Sequence, residues 1–327
     1  MTREVVLAAR PQGVPQETDF ELRETDDPEL ADGEVLVRNV FVSVDPYMRG
    51  RMTGVRTYVG PYEVGGSIDG GAVGRVVASK YDGLSEGDWV ASMLGWRERG
   101  VADGERLRKL DPSLAPPSTA LGVLGMTGFT AWVGLVRIAE VKEGETIYVS
   151  GAAGAVGSAA VQIAKLKGLR VIGSAGSDEK VEWLRSLGVE AFNYRTTPAK
   201  EALAEGIDAY FDNIGGEQLE AALTALRPFG RVAACGAISR YNDQRAEAGP
   251  RNLGFVVTKR LRVHGFIVSD HTAEFGDFMR EVAPWVAKGQ IECRETVVEG
   301  LENVPAAFTG LFHGHNTGKM LVRVGPD

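Results

Sequence analysis

Residues 148–168, YVSGAAGAVGSAAVQIAKLKG, constrain the fold of this chain more than any other stretch. An apolar run stops at Gly151, Gly154 and Gly157, and a periodic run follows. Val156, Ala159, Ala160, Ile163 and Ala164 fall at i, i+3, i+4, i+7 and i+8, which predicts a helix with one buried face. Gly168, after Lys165 and Lys167, is a normal C-terminal signal. A strand, a glycine turn and a helix bring backbone N–H groups and a helix N-terminus up to a pyrophosphate. Tight helix–sheet packing also uses glycine, but further βα units follow here, and that context favours dinucleotide binding. Ser158 stands where an ATP-type P-loop has its lysine, so that reading is set aside.

The units that follow support a doubly wound α/β domain. RVIGSA, EAFNY, IDAYFDNI, GRVAACGA and LRVHGFIVS read as strands, separated by helical stretches such as DEKVEWLRSLG, GEQLEAALTALRP and EFGDFMREVAPWVAKG. Ser177 is placed to N-cap the first of these helices. Ahead of this series, EVVLAAR, EVLVRNVFVSV, GGAVGRVVASKY, GDWVAS and ERLRKL predict a mostly antiparallel β domain. The proline-rich LDPSLAPPSTALG separates the two patterns. The tail, ETVVEGLENVPAAFTGLFHGHNTGKMLVRV, reads as strand, helix, loop and a strand that can return to the first domain. The expected division is 1–122, completed by 297–327, and 123–296.

A length of 327 residues suits two domains, and a formal charge of −8 argues against a nucleic-acid partner. Cys235 and Cys293 form no disulfide framework, which points to a reduced cytoplasm. The N-terminus, MTREVVLAARPQG, has no apolar core of signal-peptide length, and no uncharged apolar run approaches a membrane span, so no membrane partner is expected.

The second strand of the α/β domain bears on the choice of dinucleotide. NAD-binding folds place an acidic residue near its end to hold the ribose 2′-OH. Here the tip is IGSAGSDEK: small residues come first, Asp178 and Glu179 lie in the next helix's first turn, and Lys180 follows. An open tip with a cation suits the 2′-phosphate of NADP(H). The alternative is that the two acids favour the helix dipole and Lys180 is a solvated charge.

Other chemistries lack their residues. No cysteine or histidine precedes Cys235, so the first domain has no zinc ligands of the alcohol dehydrogenase kind, and no metal is expected. The pair His313 and His315 has metal-like spacing but reads as a solvated loop. No Gly-x-Ser-x-Gly elbow occurs, and no tyrosine is followed four residues later by lysine. Hydroxyls and backbone groups around a cofactor remain.

Several separated stretches carry a family resemblance: VFVSVDPYMRGRM, LGMTGFTAW, AAGAVGSAAVQIAKLKG, GSDEKVEWLRSLG, FNYR, YFDNIGG, CGAISRYN and NTGKMLVRV. In this order they resemble the zinc-free medium-chain dehydrogenase/reductases. Within them the chain is similar to the leukotriene B4 dehydrogenase, prostaglandin reductase and 2-alkenal reductase group. SVDPYMRGRM and TKRLRVHGFIV resemble its bacterial curcumin-reductase branch. The resemblance implies a GroES-like first domain, a Rossmann domain and an active site in the cleft between them. It also implies NADPH-dependent reduction of the C=C bond of α,β-unsaturated ketones or aldehydes, with a small-molecule enone as the partner.

Carried onto this chain, Gly154, Ala155, Val156 and Gly157 would approach the pyrophosphate. Lys180 and Tyr194 would hold the 2′-phosphate end, with Asn213 along the cofactor. Cys235, Gly236, Ala237, Ile238, Ser239 and Tyr241 would face the ribose and nicotinamide. Phe266, Ile267 and Val268 would approach the carboxamide, Asn316 would close the site, and Met126 and Thr130 would lie beside the nicotinamide. Tyr241, just beyond the C-terminal end of a Rossmann strand, is the first catalytic candidate. Tyr47 is the second, and it can equally anchor a turn with Asp45. Tyr58 and Tyr62 can line the substrate cleft or be ordinary loop tyrosines. Two features depart from the eicosanoid-reducing members. A tyrosine proposed there to assist catalysis is not evident here, and the loop TGVRTYVGPYEVGGSIDGG is longer than in the mammalian enzymes.

A quinone reductase, or an NADP-binding structural or regulatory protein, are the alternatives. The family's last Rossmann strand often pairs with its twin, and LRVHGFIVS would otherwise leave an apolar edge, so a homodimer is expected.

Overall fold

A computed structural model describes residues 1–244 and 248–326. The chain forms two compact units, Met1–Leu121 with Arg294–Asp327, and Gly122–Cys293. The first opens with an antiparallel pair, β1 (Thr2–Leu7) and β2 (Phe20–Thr25). It continues with β3 (Glu34–Ser43), β4 (Ala72–Ser79), β5 (Trp89–Ser92), β6 (Arg99–Asp103) and β7 (Arg108–Leu110). The expected strand ERLRKL is shorter than its pattern. Asp103 accepts the Glu105 amide at 3.0 Å and turns Gly104–Arg106 into a single 3₁₀ turn before β7 begins.

The second unit holds six parallel strands in the order β10-β9-β8-β11-β12-β13. They are β8 (Thr146–Val149), β9 (Arg170–Ala175), β10 (Glu190–Asn193), β11 (Ile207–Asp212), β12 (Leu226–Ala234) and β13 (Arg262–Gly265). The helix after β8, Ala155–Leu166, buries Ala159, Ala160, Ile163 and Ala164 of the periodic face read from the sequence, while Val156 is half-buried, and Gly168 ends it at φ +79°. Ser177 caps Asp178–Ser186, its side chain accepting the Lys180 amide. Two elements are shorter than their sequence patterns. The helix Gly216–Ala225 stops before Arg227–Pro228, because Leu226 is already in register with Ile207 of β11. LRVHGFIVS forms a strand only over Arg262–Gly265, since its partner β12 ends at Ala234, opposite Gly265. Beyond that point the chain at Cys235 turns back, and Val268–Glu274 coils into a 3₁₀ helix.

The chain then returns to the first unit with β14 (Glu295–Glu299) and β15 (Lys319–Arg323). β15 pairs antiparallel with β3, Leu321 opposite Ser43, and completes the sheet β14-β15-β3-β4-β5-β7, with β6 also on β3. Phe20, Trp96 and Phe308 pack with ring centroids 5.5–6.2 Å apart in its core, which joins residues from both ends of the chain. No helix among the described residues is long and apolar enough to cross a membrane.

Candidate functional site

The glycine turn after β8 is a cradle that side chains would fill. Gly151 has φ +59°, a conformation that favours glycine. A Cβ on Gly157 would lie 2.8 Å from the Cα of Ala152 and closer still to the Gly151 carbonyl oxygen. Gly154 occupies the N-cap with no side chain over the helix end. The amides of Ala155, Val156 and Gly157 therefore open the first turn, where a helix has no carbonyls of its own to offer them. This geometry fits a bound pyrophosphate.

The tip of β9 lies beside the turn after β10. The Tyr194 amide donates to Ala175 O at 3.1 Å, and the Tyr194 hydroxyl is 3.0 Å from where a Cβ on Gly176 would stand. Asp178 does not offer an unengaged carboxylate at this tip, because it accepts Nδ2 of Asn193 at 2.7 Å. Burial and then the charge of Arg195 lower the Lys180 pKa. Two cations thus share this tip. The sequence reading missed Arg195, and its only local signal was its place directly after Tyr194 in FNYR.

At the C-terminal ends of β11, β12 and β13 lies a cleft of about 950 Å³. Of the residues expected around the cofactor, Cys235, Gly236, Ala237, Phe266 and Ile267 line it. Arg240, Asp243, Gln244 and Asp270 also line it and were not singled out from the sequence. Its floor is organised by Asp212, which is 3% exposed. One carboxylate oxygen accepts the Tyr210 hydroxyl at 2.7 Å and the amides of Ile214 and Gly215 at 3.0 and 2.7 Å. The Asp212 carbonyl accepts the amides of Cys235 and Gly236, at 2.9 and 3.0 Å. Burial raises the Asp212 pKa against the pull of these bonds. Burial, and then Asp212, push the Cys235 thiol up to about 12, so it stays protonated and unreactive at neutral pH.

Asn213 donates from Nδ2 to Ser150 O at 2.8 Å, which ties the β11 turn to the start of the glycine turn. Ile238 and Ser239 begin the 3₁₀ turn Ile238–Arg240, and Ser239 Oγ donates to Ile214 O at 2.6 Å. The Tyr241 hydroxyl accepts the Ala237 amide at 3.4 Å and leans over Gly236, where a Cβ would come within 2.9 Å. Met126 is 41% exposed at the start of the helix Met126–Val133, and Thr130 Oγ1 donates back to Met126 O at 2.8 Å. Val268 opens the 3₁₀ helix after β13.

In the first unit, Tyr47 precedes the short helix Met48–Arg51 and is partly buried against the core. Burial, then Asp45, raises its pKa, and its hydroxyl has no protein hydrogen-bond partner among the described residues. Tyr62 is not an ordinary exposed loop tyrosine. It is 3% exposed, its hydroxyl donates to Asp69 O at 2.7 Å, and the Arg51 guanidinium lies 3.8 Å over its ring. With its one proton committed and its face covered, Tyr62 holds Arg51 and the Asp69 strand entry together. Tyr58, by contrast, is 60% exposed. Asn316 donates to Gly318 O at 2.8 Å and shapes the turn into β15.

Comparison with known proteins agrees with this architecture. Residues 3–110 match the family described as the N-terminal domain of oxidoreductase, and residues 155–284 the family described as zinc-binding dehydrogenase. The chain is 42% identical to the NADPH-dependent curcumin reductase of Escherichia coli (strain K12), over 99% of this chain and 97% of the relative. It is 44% identical to prostaglandin reductase 1 of Mus musculus, over 95% of this chain and 96% of the relative. The crystal structure of CurA in complex with NADPH from Vibrio vulnificus matches with a TM-score of 0.94 at 41% identity, covering 99% of this chain and 100% of that one. The chain therefore belongs to the NADP-dependent medium-chain dehydrogenase/reductases, in the group of the curcumin and prostaglandin reductases.

Proposed function

We propose that the protein reduces the carbon–carbon double bond of α,β-unsaturated ketones or aldehydes with NADPH. The observation that carries the cofactor is the glycine cradle at Gly151–Gly157 together with a cationic β9 tip bearing Lys180 and Arg195. The full-length likeness to curcumin and prostaglandin reductases supports the substrate class. NADPH, when bound, supplies the hydride that reaches the β-carbon. The first-turn amides of Ala155, Val156 and Gly157 take the pyrophosphate, and Lys180, Tyr194 and Arg195 take the 2′-phosphate. Asn213, the 235–239 loop and Phe266–Val268 orient the nicotinamide end, with Met126 and Thr130 beside it.

Hydride arrival at the β-carbon leaves negative charge on the substrate carbonyl oxygen, and hydrogen-bond donors must stabilise it. The Tyr241 hydroxyl, which accepts the Ala237 amide just beyond the C-terminal end of β12, is our first choice for this donor. Tyr47, whose hydroxyl has no hydrogen-bond partner among the described residues, is the second. We propose that the reaction is zinc-independent. Among the described residues no three His, Cys, Asp or Glu side chains gather as a metal site, and none of the first 234 residues is a cysteine or histidine.

Turnover with an enone, followed with deuterium on the reduced cofactor, tests the reading. Label at the β-carbon supports it. Label at the carbonyl carbon, or turnover of quinones alone, would overturn it. NADPH binding without turnover of either substrate would point to the non-catalytic alternative.

The same reading includes a cytoplasmic homodimer. β13 is the last strand of its sheet, all four of its residues are exposed, and Val263 is 47% exposed. An unpaired, exposed sheet edge of this kind invites pairing with a second copy. A single monomer boundary in sedimentation at micromolar concentration would refute the dimer.

A further inference from the structure

The first unit contains an ion pair that the proposed chemistry has not used. Lys319 opens β15 and Asp45 follows β3, 274 residues earlier, and their side chains are only 4% and 5% exposed. Lys319 Nζ lies 3.2 Å from Asp45 Oδ1 and donates to Val44 O at 3.0 Å and to Met320 O at 2.9 Å. Two ammonium protons are donated to backbone carbonyls, and the charge is paired with the Asp45 carboxylate. The other Asp45 oxygen accepts the Ser43 hydroxyl. Lys319 is therefore neither an exposed charge nor an available acid. A buried pair of this sort adds little stability over a well-packed apolar pair, because desolvation offsets the attraction. Its physical effect is to fix geometry.

The geometry it fixes is the approach to Tyr47. Successive carbonyls of the turn are each held: Ser43 O by Trp96 Nε1 at 3.0 Å, Val44 O by Lys319, and Asp45 O by the Met48 amide at 3.1 Å. Tyr47 is the next side chain after Pro46, and among the described residues no protein group hydrogen-bonds its hydroxyl. The Asp45 charge also helps keep the Tyr47 phenol protonated, second to burial.

We propose that Lys319 is a positioning residue that, through Asp45 and the Val44 carbonyl, aims the Tyr47 hydroxyl at the substrate carbonyl oxygen. The proposal rests on the reading of Tyr47 as a donor to substrate. It makes the C-terminal strand part of the reaction geometry, although that strand itself donates nothing to the substrate.

The test is a double-mutant cycle on the full chain, with kcat for an enone, the NADPH dissociation constant and the melting temperature measured for each member. K319M removes the ammonium and keeps the length of the side chain, and Y47F removes only the hydroxyl. If Lys319 acts through Tyr47, each single variant lowers kcat about tenfold, and the double variant is also about tenfold slower, not a hundredfold. NADPH affinity stays constant in all three. A product of the two effects, or an unchanged kcat in K319M while Y47F is slow, overturns the positioning role and leaves Tyr47 in place. An unchanged kcat in Y47F overturns the Tyr47 reading, and the proposal falls with it. Should K319M fail to fold, D45N/K319M removes both charges and replaces it in the same cycle, read by the same criteria.

Discussion

Two segments carry the candidate tyrosines, and they are built in opposite ways. The turn before Tyr47 is held by side chains from far along the chain, Trp96 and Lys319, the latter paired with the turn's own buried Asp45 carboxylate. The loop before Tyr241 is held by backbone laid on backbone. The amides of Cys235 and Gly236 reach Asp212 O, Ile238 N reaches Asn213 O at 3.2 Å, and Ser239 N reaches Ile214 O at 3.3 Å. One segment copies the shape of a neighbouring turn, while the other is clamped charge to charge. A backbone-templated loop tolerates side-chain changes along itself but depends on whatever shapes its template, and here that is Asp212.

The largest effect should therefore come from Asp212. Asp212→Ala leaves the Ile214 and Gly215 amides without their acceptor, while the Tyr210 hydroxyl keeps Ser150 Oγ at 2.9 Å. Each unmet buried donor costs about 1–3 kcal/mol. Urea unfolding should show a loss of about 3 kcal/mol or more, together with weaker NADPH binding. A stable variant with normal NADPH affinity would break the comparison, because the loop would then be holding itself.

The next effect is on rate alone. Tyr241→Phe should lower kcat with an enone by on the order of a hundredfold while NADPH affinity stays nearly constant. Steady-state kinetics and fluorescence titration separate the two quantities. An unchanged kcat would move the donor role from the templated loop to the clamped turn at Tyr47.

At the far side of the same sheet, we propose, a side chain recognises the 2′-phosphate in an otherwise backbone-built unit. Lys180→Ala should weaken NADPH by about 1–3 kcal/mol and leave NADH nearly unchanged, as loss of a charge-assisted hydrogen bond requires. Equal losses for both cofactors would remove Lys180 from the 2′-phosphate.

The smallest effect concerns pH. Burial and Arg195 lower the Lys180 pKa below its usual 10.5. A 2′-phosphate favours the ammonium, so the protein's preference for NADPH over NADH is full below the lowered pKa and declines as pH rises through it. Lys180→Arg, whose guanidinium stays charged, should flatten that decline. Calorimetric titration of both cofactors across the alkaline range reads the ratio, and parallel profiles for the two proteins would count against the assignment.

Much of this protein is legible in one dimension. The dinucleotide cradle shows in Gly151, Gly154 and Gly157 because a missing Cβ is a local steric fact. The parallel-sheet unit shows in the alternation of periods two and 3.6 because each element's buried face is written in its own residues. The Ser177 cap and the Gly168 stop are read equally close to home. The remainder was decided by contacts between residues far apart in the chain. Only the fold brings Lys319 onto Asp45, sets Arg195 beside Lys180, and turns Tyr62 from a loop aromatic into a buried partner of Arg51 and Asp69. LRVHGFIVS is cut short for the same reason: its apolar run continues past Gly265, but its partner strand does not. Spacing along a chain encodes which face of an element is buried. It does not encode which distant residue will meet that face, and burial and pairing are properties of the meeting.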